Sequence, residues 1–183
     1  MTGRSKRFLD PAQLHAAVAE VGAIAAREGV RVALIGGLAL QYFGSDRLTG
    51  DVDFAAEAML EGLPRGTPLS FGGVQTTAPS GVPAALIVRD DDYEELYNEA
   101  IAGAVHVQEL PVPLVRPEYL AAMKMAAARD RDTLDLEFLL RAGVVDVSRA
   151  RQIIYRHLGP YAARELDRIV DEVEWKRSRE RAE

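Results

Sequence analysis

The chain has no cysteine, which excludes disulfide scaffolds, thiol nucleophiles and cysteine-ligated metals. Histidine is scarce, and neither His15 nor His157 has a metal-ligand partner at helical spacing. His106 falls in a β-like stretch and reads as a strand residue rather than a base. No run of eighteen apolar residues occurs, so no segment is suited to crossing a membrane. The start, "MTGRSKRFLD", is basic but lacks the apolar stretch of a signal peptide, so a cytoplasmic location is expected. There is one tryptophan, Trp175, expected to dock the last helix.

What is present is enough for one sizeable core: 183 residues, 48% of them hydrophobic. The net charge of −6 is uneven. Residues 1–115 hold 8 Lys and Arg against 15 Asp and Glu, whereas residues 116–157 hold 8 against 6. An acidic chain is a poor general binder of nucleic acid, because phosphate contact is mostly cationic. A local basic face, built from Arg149, Arg151, Arg156 and Arg164, can still hold one specific RNA; a solvated surface is the competing reading.

Punctuation organises the first half. Asp10 is placed to cap a helix that opens at Pro11 and stops at Gly29, with Leu14, Val18, Val21 and Ala25 on one face. "VRVALI" reads as a buried strand, "LALQYF" as a short helix starting at Gly36-Gly37, and "DVDFA" as a second strand. "LSFGGVQTTA" and "VPAALIV" flank a hairpin turn at "PSG". "DDDYEELYNEAIAG" opens with acids suited to a helix N-terminus, and "VHVQEL" and "VPLVR" are short strand candidates. After Arg116 the pattern is helical to the end. The expected design is α+β: a small mixed sheet flanked by helices over residues 1–115, then a helical cap over 116–183, packed as one unit.

The chemistry concentrates in "LIGGLALQYFGSDRLTGDVDFAA". Alternate strand residues share a face, so Asp51 and Asp53 project together while Val52 and Phe54 turn inward. Two carboxylates this close repel unless a cation sits between them. Mg²⁺ fits, since it takes carboxylate oxygens and keeps positions for waters and substrate phosphates. Glycines at a strand–helix turn let the backbone approach a phosphate, and the helix N-terminus offers free N–H groups. Together these features describe a site for the metal-bound triphosphate of an NTP.

In that order the residues resemble the nucleotidyltransferases of the DNA polymerase β type, with a glycine pair at a strand–helix turn followed by an "hDxDh" strand. The resemblance is strongest to the branch of the AbiEii-like toxins of type IV toxin–antitoxin systems, which tends to read "GGxAhxxhGxxRxTxDhDh". Here the match is Gly36, Gly37, Ala39, Gly44, Arg47, Thr49, Asp51 and Asp53. "YLAAMKMAAARDRDTLDLEFLL" resembles the branch's downstream helical motif through Lys124, Arg129, Arg131, Asp132 and Asp135. The resemblance implies a polymerase-β-type fold, with Asp51 and Asp53 as metal ligands and catalytic groups. It implies Gly36, Gly37, Arg47, Thr49, Lys124 and Asp132 as nucleotide contacts, and Lys124 and Asp135 as catalytic groups. It also implies Mg²⁺, an NTP, an RNA such as tRNA or a protein as acceptor, and an antitoxin partner. The alternative for the downstream block is an ordinary amphipathic helix, with Leu134, Phe138 and Leu139 buried and its charges outside.

One element of the pattern is missing. Such enzymes place a third carboxylate on a neighbouring strand, and Ala85 stands at that position; no acid occurs between Glu61 and Asp90. Asp90 to Asp92 are expected to cap the following helix. Loss of a third ligand costs on the order of a hundredfold or more in rate. Two readings remain: an active nucleotidyltransferase, or a degenerate one that binds nucleotide, RNA or a partner protein without turnover.

Overall fold

A computed structural model describes residues 9–70 and 72–181. The basic stretch before Leu9, and Phe71 within "LSFGGVQTTA", lie outside the described residues. The chain divides into two compact units: residues up to Tyr42 together with Asp46–Val115, and Phe43–Ser45 together with Arg116–Glu183. No helix is long and apolar enough to cross a membrane, among the described residues.

The first unit opens with α1 (Pro11–Glu28), capped as its sequence dictates. The Asp10 carboxylate accepts from Ala12 N, Gln13 reaches back to Asp10 N, and Gly29 closes the helix in the left-handed conformation. Leu14, Val18, Val21 and Ala25 are buried along one face. Then come β1 (Val32–Ile35), α2 (Gly36–Tyr42), β2 (Val52–Ala56), β3 (Val74–Thr77), β4 (Pro83–Ile87) and α3 (Glu94–Ala102). The sheet order is β1-β2-β4-β3, with β2 and β4 parallel and the other pairs antiparallel. The mixed sheet, the helix at the glycine pair and the β3–β4 hairpin all follow the sequence pattern. β3 is shorter than its pattern, because Gly72 and Gly73 precede it at φ 91° and 78°, outside strand geometry.

Two expectations for this unit need correction. "VHVQEL" and "VPLVR" form isolated bridges at Val105 and Leu114, not strands. Pro111 and Pro113 have no N–H to donate to a ladder, so pairing is confined to contacts such as Leu34 N with Pro113 O at 2.8 Å. Nor do Asp90 to Asp92 cap α3. Its N-cap is Tyr93, without a side-chain cap bond. The Asp91 carboxylate is drawn instead to Arg89 Nε (2.9 Å) and Tyr93 N (3.1 Å).

The second unit is helical: α4 (Pro117–Ala127), α5 (Asp130–Ala142) and α6 (Val147–Glu180). Asp146 caps α6 through Arg149 N, and its own N–H donates to the buried Glu118 carboxylate. Gly159 (φ 87°, ψ 178°) interrupts α6, and Pro160 restarts it with a fixed φ and no N–H to lose. Trp175 does not dock this helix. It is 57% exposed, because the buried side belongs to Ala163, Leu166, Ile169 and Val173. In α5 the buried residues are Asp132, Asp135, Leu136, Leu139 and Leu140, while Leu134 is 67% exposed. An amphipathic helix with Leu134 inside and its charges outside is therefore excluded.

Candidate functional site

The strand–helix turn gathers its residues closely. β1 ends at Ile35, and α2 begins at once with Gly36 at φ 70°, a conformation that favours glycine. A Cβ on Gly36 would lie 2.7 Å from both Cβ and Cγ of Asp53, with the carboxylate oxygen nearer still. A Cβ on Gly37 would lie 2.9 Å from Thr49 Oγ1, and 3.8 Å from an Arg47 guanidinium nitrogen. Each glycine thus makes room for a different partner, the first for Asp53 and the second for Thr49.

The aspartates alternate around buried residues. Val52 and Phe54 are buried, while Asp51 and Asp53 are partly exposed. Thr49 is 4% exposed, and its hydroxyl donates to Asp51 Oδ1 at 2.7 Å. That bond orients one carboxylate oxygen and leaves its fellow for other work. Arg47 is tied to α2 through its carbonyl, which accepts from Gln41 Nε2 at 2.8 Å. Gln41 is a contact that no motif marked.

Register places Ala85 beside Asp53. The two are Cα partners on parallel β2 and β4, and Gln75 of β3 follows as the partner of Ala85. Paired positions share a face of a sheet, so Ile35, Asp53, Ala85 and Gln75 form one rung. The rung carries one acid, one neutral amide and two apolar side chains. Among the described residues no group of three or more His, Asp or Glu gathers as a metal cage. Hard oxygen donors from two carboxylates suit Mg²⁺, whose other positions go to waters and phosphate oxygens.

The second group lies within the helical unit. Lys124 Nζ bonds Asp132 Oδ1 at 2.9 Å and Asp135 Oδ2 at 2.6 Å, and all three residues are buried. Arg129 forks onto Asp132 through Nε (2.6 Å) and Nη2 (3.1 Å). Burial is the largest influence on Asp132 and disfavours its charge. The hydrogen bonds from Arg129 and Lys124 nevertheless win, holding the carboxyl below its usual range. Lys124 and Arg129 thus meet the carboxylates of Asp132 and Asp135 in one network. Spacing of three residues puts Asp132 and Asp135 on one side of α5. It cannot show that Lys124 would reach both.

No protein-family model matches the chain, and no curated protein matches it in sequence. Solved structures do. The antibiotic-resistance factor ANT(2'')-Ia, known from a solution structure, is 16% identical over 86% of this chain and 97% of its own, with a TM-score of 0.54. An antigenic nucleotidyltransferase-like protein from Paracoccidioides brasiliensis is 14% identical over 90% of this chain and 95% of its own, with a TM-score of 0.49. At such identities the likeness is one of fold. The chain shares the α+β fold of ANT(2'')-Ia.

Proposed function

We propose that this chain is a nucleotidyltransferase, moving an NMP from a Mg²⁺-bound NTP to a hydroxyl on RNA, such as a tRNA end, or on protein. The observation that carries this reading is the turn itself: Gly36 against the Asp53 carboxylate, and Gly37 against a threonine whose hydroxyl holds Asp51. A glycine pair that yields space to one acid and to the threonine holding another is not explained by a simple tight turn. Asp51 and Asp53 would hold the cation, which supplies charge neutralisation to the phosphates when bound. The α2 N-terminus near Gly37 and the Arg47 guanidinium would take phosphate charge. Within the helical unit, Asp132 and Asp135 would orient the Lys124 ammonium. In the transfer, the acceptor oxygen bonds to the α-phosphorus as the bond to the β-phosphate oxygen breaks. Pyrophosphate leaves, and the hydroxyl proton passes to water. The order of Arg47, Thr49, Asp51 and Asp53 further supports an AbiEii-like toxin acting in the cytoplasm with an antitoxin partner.

One observation favours a second reading, binding without turnover: the neighbour of Asp53 on β4 is Ala85 and not an acid. Incubation with each labelled NTP, Mg²⁺ and total RNA separates the two, by label on RNA or on protein. Under the first reading label is transferred, and Ala85→Asp raises the rate while changing nucleotide affinity no more than a few-fold. Under the second, wild type binds NTP and transfers nothing. Absence of NTP binding at millimolar Mg²⁺ would end the nucleotide form of both and leave a protein-interaction module.

A further inference from the structure

The stretch of α6 after its interruption carries a surface that nucleotide chemistry does not use. Tyr161, Arg164, Arg168, Glu172, Trp175 and Arg179 recur at intervals of three and four, so they form one stripe along the helix. It lies opposite the buried Ala163, Leu166, Ile169 and Val173. Tyr161 is 81% exposed and Trp175 57%, unusual for large aromatics. Each carries an arginine on its ring: Arg164 Cζ is 4.5 Å from the Tyr161 centroid, and Arg179 Cζ is 5.1 Å from that of Trp175. Arg168 is held at the centre by Glu165 at 2.7 Å and Glu172 at 3.2 Å.

We propose that this stripe docks antiparallel on the same stripe of a second copy of the chain. Tyr, Trp and Arg are the residues enriched at protein interfaces, and burial of a ring with its stacked guanidinium strengthens that contact. Charge order selects the partner. Residues 160–181 hold 6 basic and 6 acidic side chains, which gives a polyanion such as RNA little to bind. An antiparallel copy centred on Val170 sets Arg168 opposite Glu172 and Tyr161 opposite Arg179. Two-fold symmetry makes each contact twice. Trp175 then meets the Arg164 and Glu165 pair. One helix from each copy is a small interface, so the dimer is weak and concentration-dependent.

Sedimentation velocity of the full chain across a wide concentration range tests this, alongside emission from Trp175, its one tryptophan. Sedimentation should pass from monomer to dimer while emission moves to shorter wavelength. Arg168→Glu alone and Glu172→Arg alone should each weaken association about tenfold or more, since each sets like charges face to face. Arg168 is exposed and Glu172 half-buried, and circular dichroism checks that both variants fold. Mixing the two variants should restore association, because the swapped charges then meet across the interface. A change confined to one helix cannot be repaired by mixing. Monomeric sedimentation at every concentration, or a mixture no tighter than its components, overturns the dimer. So does single-stranded RNA binding to a monomer that is lost in Trp175→Ala.

Discussion

Thr49 is the residue on which the acidic site turns. Its hydroxyl is buried and spends its proton on Asp51, so its work is to aim a carboxylate. Thr49→Val keeps the shape and strands an acceptor; the Mg²⁺ or Mn²⁺ needed for nucleotide binding should rise about tenfold. Thr49→Ser, which keeps the donor, should stay within a few-fold. Paramagnetic resonance of Mn²⁺ with a fixed NTP concentration reads this directly, and equal loss in both variants would assign Thr49 to packing instead. Asp132 allows a test by pH. Its folded carboxyl is held below the unfolded value of about 3.9, so its contribution is complete above that pH and fades as pH falls through the lower, folded value. Asp132→Asn should cost about 3 kcal/mol at pH 7, with a smaller gap to wild type near pH 3, by urea denaturation. The spacing of Arg47, Thr49, Asp51 and Asp53 could be read from the chain. The Thr49–Asp51 bond could not, since a threonine two residues before an acid takes many conformations.

Among the elements, the link from α4 to α5 stores strain. Ala128 closes α4 at φ 49°, the one non-glycine at positive φ among the described residues, and Arg129 then starts the run that grips Asp132. A left-handed alanine costs about 1 kcal/mol, and glycine returns part of that gain through its freer unfolded chain. Ala128→Gly should therefore raise stability by roughly 0.5 kcal/mol, and Ala128→Val should lower it by more than about 1 kcal/mol in the same thermal melts. Helix starts and stops were legible because caps are local, as Asp10, Pro11 and Gly29 show. The orientation of α5 was not. Asp132 and Asp135 turn inward because Lys124 of α4 waits there, a partner absent from the α5 pattern itself. Strands near Pro111 and Pro113 were over-read for the opposite reason: their apolar alternation was real, but the ladder donors were missing.

For the molecule as a whole, charge sets the terms of binding. On the proposed function, a chain of net charge −6 with two aspartates facing a triphosphate would repel it unless a divalent cation intervened. ATP with Mg²⁺ should raise the melting temperature by a few degrees at a hundred times its Kd, and ATP with EDTA should not. A shift that persists in EDTA would place the nucleotide away from Asp51 and Asp53. The mixed sheet and the hairpin at Pro79–Gly81 were within reach of sequence reasoning because turn residues act locally, whereas the strand order, set by long-range pairing, was not. The outward stripe on α6 was not, since it matches no motif at all.

The glycine at position 37 has a history written into its neighbour. Its φ is not positive, so its backbone alone does not demand glycine; the threonine side chain 2.9 Å from its missing Cβ does. Mutational drift at the two sites should therefore be coupled. A descendant that trades Thr49 for a smaller residue is released to carry alanine at 37, whereas one that keeps the threonine is not. Paired substitutions at these positions, seen together or in neither, would be the inherited trace of a single crowded contact.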